Sequence, residues 1–183
     1  MSELAYKASD AQGQAQAYTN AILAALGDRD PLDVLREMPD ALRNALAGLT
    51  PQQLTTPEAP GKWSMAQVVF HLLDSDTTGA FRFRIILAQD RPTLVGYDQD
   101  LWVERLHADS KVEEALEEFT RLRRSNVRLL ERTTPEDRER VGVHLERGEE
   151  SLGHIIRLYA GHDRVHLRQL ARIRKAVTGE AAG

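Results

Sequence analysis

The chain has 183 residues with 24 Lys and Arg against 28 Asp and Glu, giving a net charge of −4 and a pI near 5.9. A make-up of 42% hydrophobic and 28% charged residues excludes wholesale disorder, supplies apolar material for a substantial core and suits one domain over 1–183. The absence of cysteine excludes disulfides, thiolate zinc sites and a cysteine nucleophile, and the mildly acidic balance argues against nucleic acid or a membrane surface as partner.

The start, Met1 to Tyr6, lacks the basic and then apolar pattern of an export signal. No stretch approaches the roughly 18 to 20 apolar residues needed to cross a bilayer, so a cytoplasmic location is expected. A short leading helix is expected around Ala15 to Leu26. Asp30 before Pro31 opens a second helical stretch bearing Leu32, Leu35, Leu42, Leu46 and Leu49, which Pro39 should kink or divide. Thr55 to Lys62 holds two prolines and a glycine and reads as a loop. Ser64 and Gln67 then form a capping box, flanked by Trp63 and Val68 as a hydrophobic staple, for a helix reaching about Gln89 before Asp90, Arg91 and Pro92. A second capping box, Ser110 with Glu113, opens an amphipathic helix with the stripe Val112, Ala115, Leu116, Phe119, Leu122, Asn126, Leu129 and Leu130. Thr134 and Pro135 start a short helix or turn, and the charged run from Asp137 to Glu150 reads as continuing into an exposed loop. The last helix should span Ser151 to Val177 and end near Gly179, ahead of a small-residue tail. Four long helices with connections long enough for crossovers predict an all-α helical bundle with a core over about 30–177, in which sites are built from side chains on facing helices.

Six histidines are available to such a core. His162 and His166 fall within or at the edge of the inward stripe of the last helix, formed by Leu152, Ile155, Ile156, Tyr159, Leu170, Ile173 and Val177. Imidazoles four residues apart share one helical face and can meet one ion, or they can be core-edge rings satisfied by carbonyls or carboxylates. His71 lies in a polar column with Gln67, Asp74, Ser75, Thr78 and Arg82, a strip that either lines a pocket or faces water. His107, His144 and His154 read as exposed, non-ligating residues, and Trp63 and Trp102 as packing residues. Arg82, on the His71 face, either steers an anionic substrate or ends in a salt bridge or solvent. The run His162 to His166 has Asp163 where zinc proteases carry the longer glutamate base, which disfavours peptidase activity.

Three islands are familiar in combination. Gly61, Lys62, Trp63 and Ser64 lead to His71 and Asp74; Tyr97, Asp98, Gln99, Asp100, Leu101 and Trp102 follow; then come His162, Asp163, Arg164, Val165 and His166 with Gln169. In order and spacing they resemble the DinB-like (DinB/YfiT) superfamily over about Asp30 to Val177. The resemblance implies an up-down-down-up four-helix bundle, usually a homodimer, with one divalent metal, zinc or nickel, held by His71, His162 and His166. It implies a small-molecule substrate and either hydrolysis or transfer from a low-molecular-weight thiol cosubstrate. Asp74 then becomes a candidate for orienting His71 or a water at the site. A non-enzymatic, stress-related metal-binding or interaction module with a structural or vestigial ion is the competing class; a structural zinc usually has four protein ligands, and three candidates stand out here.

Overall fold

The computed structural model describes residues 11–179, with side chains from residue 16 onward. The chain start and the end of the small-residue tail lie outside the described residues. In chain order the elements are α1 (Ala11–Leu26), α2 (Pro31–Leu46), α3 (Pro51–Thr55), α4 (Met65–Ala88), β1 (Thr93–Leu94), α5 (Gln99–Leu106), α6 (Val112–Leu130), α7 (Pro135–Glu139), β2 (Val141–His144), β3 (Gly148–Ser151) and α8 (Leu152–Thr178).

Local chemistry accounts for most boundaries. The Asp30 carboxylate accepts from the amides of Leu32 and Asp33 ahead of Pro31, and Ser64 and Gln67 close both halves of their capping box. α8 ends at Gly179, whose φ of 71° is left-handed and therefore suits glycine. Pro39 sits inside α2 without dividing it. The carbonyl of Leu35, deprived of its donor by the proline four residues on, accepts instead from Arg123 Nη1 at 3.3 Å. The expected cap at Ser110 is replaced by Lys111, which makes no side-chain cap bond, because Ser110 Oγ hydrogen-bonds His107 Nδ1 at 3.2 Å.

Hydrogen bonds and ion pairs fix the direction of each helix. Val34 and Leu35 cluster with Ile155 and Ile156, Met38 and Leu42 cluster with Leu170 and Ile173, and Ala45 accepts from Arg174, so α2 runs parallel to α8. Asp76 meets Arg123 while Arg84 meets Asn126, so α4 and α6 are also parallel. His71 faces His162 and Arg82 faces Tyr159, making α4 antiparallel to α8, and Arg36 reaches Glu131 while Met38 and Leu42 pack with Phe119. The bundle of α2, α4, α6 and α8 is therefore up-down-down-up, with α1 laid along α8 as an additional N-terminal helix.

The segment expected as an exposed loop after α7 is instead a β-hairpin. Val141 pairs with Ser151 and His144 with Gly148, and β1 adds in parallel through Thr93 with Val143 and Leu94 with His144. Burial here falls on Gly142 and His144 rather than on Val141 and Val143, so apolar alternation does not mark the inner face.

Two apolar clusters fill the bundle. One gathers Met38, Leu42, Trp63, Phe70, Phe119 and Leu170; the other gathers Leu35, Phe83, Ile86, Leu130, Ile155 and Tyr159. Between them, at the waist, lies a layer of buried polar groups: His71, Asp76, Arg123, Asn126, His162, Asp163, His166 and Gln169. Buried polar groups are tolerated only when partnered, so the waist is where function is to be sought.

Candidate metal centre

The capping box of α4 sets the phase that places His71 two turns into the bundle, and the apolar stripe of α8 turns His162 and His166 inward to meet it. The Nε2 atoms of His71 and His166 each stand 3.0 Å from Nε2 of His162, and the ligand atoms of all three lie within 4.8 Å of one another. The three residues are buried, with exposures of 2%, 8% and 2%. Burial drives His71 and His162 well below the usual imidazole range, their neighbouring histidines adding to the effect, and holds His166 at about 4. The rings are therefore neutral near pH 7, with lone pairs to offer.

The arrangement fits a metal ion better than mutual hydrogen bonds. One ring nitrogen cannot be well satisfied by two others at once, whereas nitrogens at about 2.1 Å from a common ion, with right to tetrahedral angles between them, stand roughly 3.0 to 3.4 Å apart. Gln169 Oε1 lies 2.8 Å from Nδ1 of His166 and accepts its proton, which leaves Nε2 of that ring free to ligate. His71 Nδ1 is buried with no partner, and its ring is held by Trp63 at 4.9 Å between centroids. Among the described residues no fourth His, Asp or Glu joins the cluster. His71 and His162 also form part of the wall of a cavity of about 490 Å³ shared by α1, α4, the α5 approach, the hairpin and α8.

The remaining candidates fall elsewhere. Asp74 directs both carboxylate oxygens to His107 Nε2, each at 3.1 Å, and His107 stacks on Phe70 with centroids 4.7 Å apart. Asp74 thus ties α4 to the end of α5. The expectation that His107, His144 and His154 are exposed is overturned: His144 is 1% exposed in the sheet, and His107 and His154 are half-buried. Tertiary contacts, the β1 pairing above all, cover segments whose local charge suggested solvent. None of the three joins the histidine cluster. Asp163 is buried, and its partner is Arg123, which clamps both oxygens of Asp163 and donates through Nε to Asp76 at 2.9 Å. Sequence reasoning missed Arg123 and Asp76. The available signal was spacing, since Arg123 lies four after Phe119 and three before Asn126 on the buried face of α6.

With the histidines and the bundle topology in view, the likeness to known proteins is decisive. A family model for the DinB superfamily matches residues 35–170. The chain belongs to the DinB superfamily. Two relatives share its pattern: a Bacillus cereus (strain 03BB102) protein named "Putative metal-dependent hydrolase", 33% identical over 141 residues, and a Bacillus mycoides (strain KBAB4) protein of the same description, 32% identical over the same length. Each alignment covers 77% of this chain and 82% of the relative. In fold, this DinB-superfamily chain is similar to YfiT from Bacillus subtilis, described as "a probable metal-dependent hydrolase with an unusual four-helix bundle topology", with a TM-score of 0.76, 24% identity and coverage of 97% of this chain and 99% of that one.

Proposed function

We infer that this protein is a divalent-metal-dependent hydrolase of a small molecule, with His71, His162 and His166 as the metal ligands and zinc, then nickel, as the candidate ions. The observation that carries the reading is the meeting of three buried, neutral imidazole rings, two of which, His71 and His162, stand in the wall of a cavity. The relatives' description as metal-dependent hydrolases supports the same reading. An ion held by three neutral ligands keeps its double charge and supplies Lewis acidity, polarising a substrate carbonyl and lowering the pKa of water toward about 7.

The chain's own residues prepare the site. Gln169 fixes the His166 tautomer, while Trp63 and the apolar cluster behind it exclude water from the far side of His71. Two buried carboxylates, Asp76 and Asp163, oppose the single guanidinium of Arg123, and this surplus of negative charge one position from His162 favours a cation over none. Asp74, engaged with His107, serves the site through the α5 wall rather than through the ligands. A brace for the bundle would need four protein ligands in the usual pattern of structural zinc, so three ligands beside a cavity favour an open, reactive position.

Elemental analysis of protein purified without a chelating tag should find near-stoichiometric divalent metal in the wild type and its loss in His71→Ala, His162→Ala and His166→Ala. Unchanged metal content in all three variants would remove the site. A panel of esters, amides and lactones assayed with and without added low-molecular-weight thiol then tests the reaction. Metal-dependent turnover without thiol is expected; turnover that begins only with thiol replaces hydrolysis by thiol transfer at the same residues.

A further inference from the structure

The cavity beside the histidines extends along α4 to a second charged group. Arg82 follows His71 by eleven positions, a rise of roughly 16 Å along the helix, and shares the cavity wall with His144, Arg147 and Tyr159. It is 8% exposed, yet no carboxylate pairs with it among the described residues. Its guanidinium donates to the carbonyl of Val95 at 2.6 Å and stands 3.5 Å from both the Tyr159 hydroxyl and His144 Nε2, while its Nε–H is buried without a partner. These neighbours are uncharged. Burial, with Arg147 and Arg82 adding to it, holds the His144 ring neutral with a pKa of about 4, and burial keeps the Tyr159 phenol protonated.

The other charges around the cavity are accounted for differently. Arg147 is matched by a two-point ion pair with Glu150 at 2.7 and 2.8 Å. Asp98 caps α5 through the amide of Leu101, and Asp100 and Glu146 belong to the half-buried and exposed parts of the wall, where water screens them. Among the described residues one buried cation is left without its counter-charge, which is unfavourable unless something entering the cavity brings an anion. Sequence alone left Arg82 between an anionic substrate and a salt bridge or solvent; among the described residues the fold supplies no salt bridge and sets Arg82 in a cavity wall.

We propose that Arg82, with the hydroxyl of Tyr159, binds a single carboxylate of the substrate in the cavity that His71 and His162 also line. A guanidinium presents paired donors to the planar carboxylate. One unmatched positive charge with three acids elsewhere on the wall selects a monoanion over a phosphate dianion. The substrate class is accordingly a small carboxylic acid. That the carboxylate belongs to a substrate rests on the hydrolase reading, whereas the anion subsite itself is defined by Arg82 and stands whether or not the histidines hold an ion.

Benzoate and benzamide are the matched probes, with inorganic phosphate as the dianion. In the wild-type protein the Nε–H resonance of Arg82 should shift saturably with benzoate and stay in place with benzamide. Calorimetric affinity for benzoate should fall at least tenfold in Arg82→Gln, fall less in Arg82→Lys and survive in His162→Ala. Equal binding of benzamide, tighter binding of phosphate, or benzoate binding lost in His162→Ala and kept in Arg82→Gln would each overturn the subsite. Metal content measured on the same preparations tests the histidine reading separately, and the wild-type titration stands even where a variant fails to fold.

Discussion

Gln169 shows how a single side chain governs a ligand without touching the space where an ion would sit. Its carbonyl holds the proton of His166 on Nδ1, and without that acceptor the ring is free to adopt the other tautomer or turn away. Gln169→Leu should leave the fold intact and weaken zinc affinity by roughly 10- to 100-fold, measured by competition with a metal indicator. Unaltered affinity would mean that the helix alone orients His166. The inward phase of His162 and His166 was open to sequence reasoning because helical periodicity fixes where a side chain points, whereas His71 was added by the family resemblance. The partners of Asp74 and His107 were not, because the residues are joined only by the return of the α5 segment to α4.

At the scale of elements, α1 depends on one glycine. A β-carbon at Gly161 would lie 2.2 Å from the Ile22 carbonyl oxygen, so α1 and α8 approach as closely as backbone allows at the residue beside His162. Tyr18, Thr19 and Ile22 of α1 form a cavity wall, so this contact also closes the site. Gly161→Ala should cost about 1 to 3 kcal/mol of stability and lift α1 from α8. Hydrogen exchange would report it as lost protection confined to residues 16–26, with the amides of α4 and α6 unchanged. The hairpin carries the complementary lesson. Glu149 and Glu150 look solvated in sequence, but Glu150 is 5% exposed and matched by Arg147, and its strand helps to bury His144 near Arg82.

For the whole molecule, the polar waist sets the balance between stability and function. Arg123 is buried with two carboxylates, caps the carbonyl that Pro39 leaves unmatched, and stacks over Phe119 at 4.7 Å, so it joins α2, α4, α6 and α8 at one point. Replacing it leaves two buried carboxylates facing each other. Arg123→Met should lower unfolding free energy by about 3 to 5 kcal/mol, read from urea titration, and removing both acids as well, in Asp76→Asn with Asp163→Asn, should recover part of the loss. A loss below about 1 kcal/mol would show that the waist is solvated and the cluster weak.

The sequence by itself determined the long helices, their starts at Asp30 and Ser64, the inward phase of His162 and His166, and the family pattern that adds His71. These follow from neighbours a few positions apart, where the period of the helix and the hydrogen bonds of a cap decide geometry. Only the tertiary structure decided that Arg82 is buried without a counter-charge among the described residues, that Asp163 answers to Arg123, that Asp74 faces His107, and that a charged segment folds into a sheet over His144. Each of these depends on contact between groups remote along the chain. A side chain's own sequence neighbourhood says nothing of whether its counter-charge arrives from another helix or from a ligand.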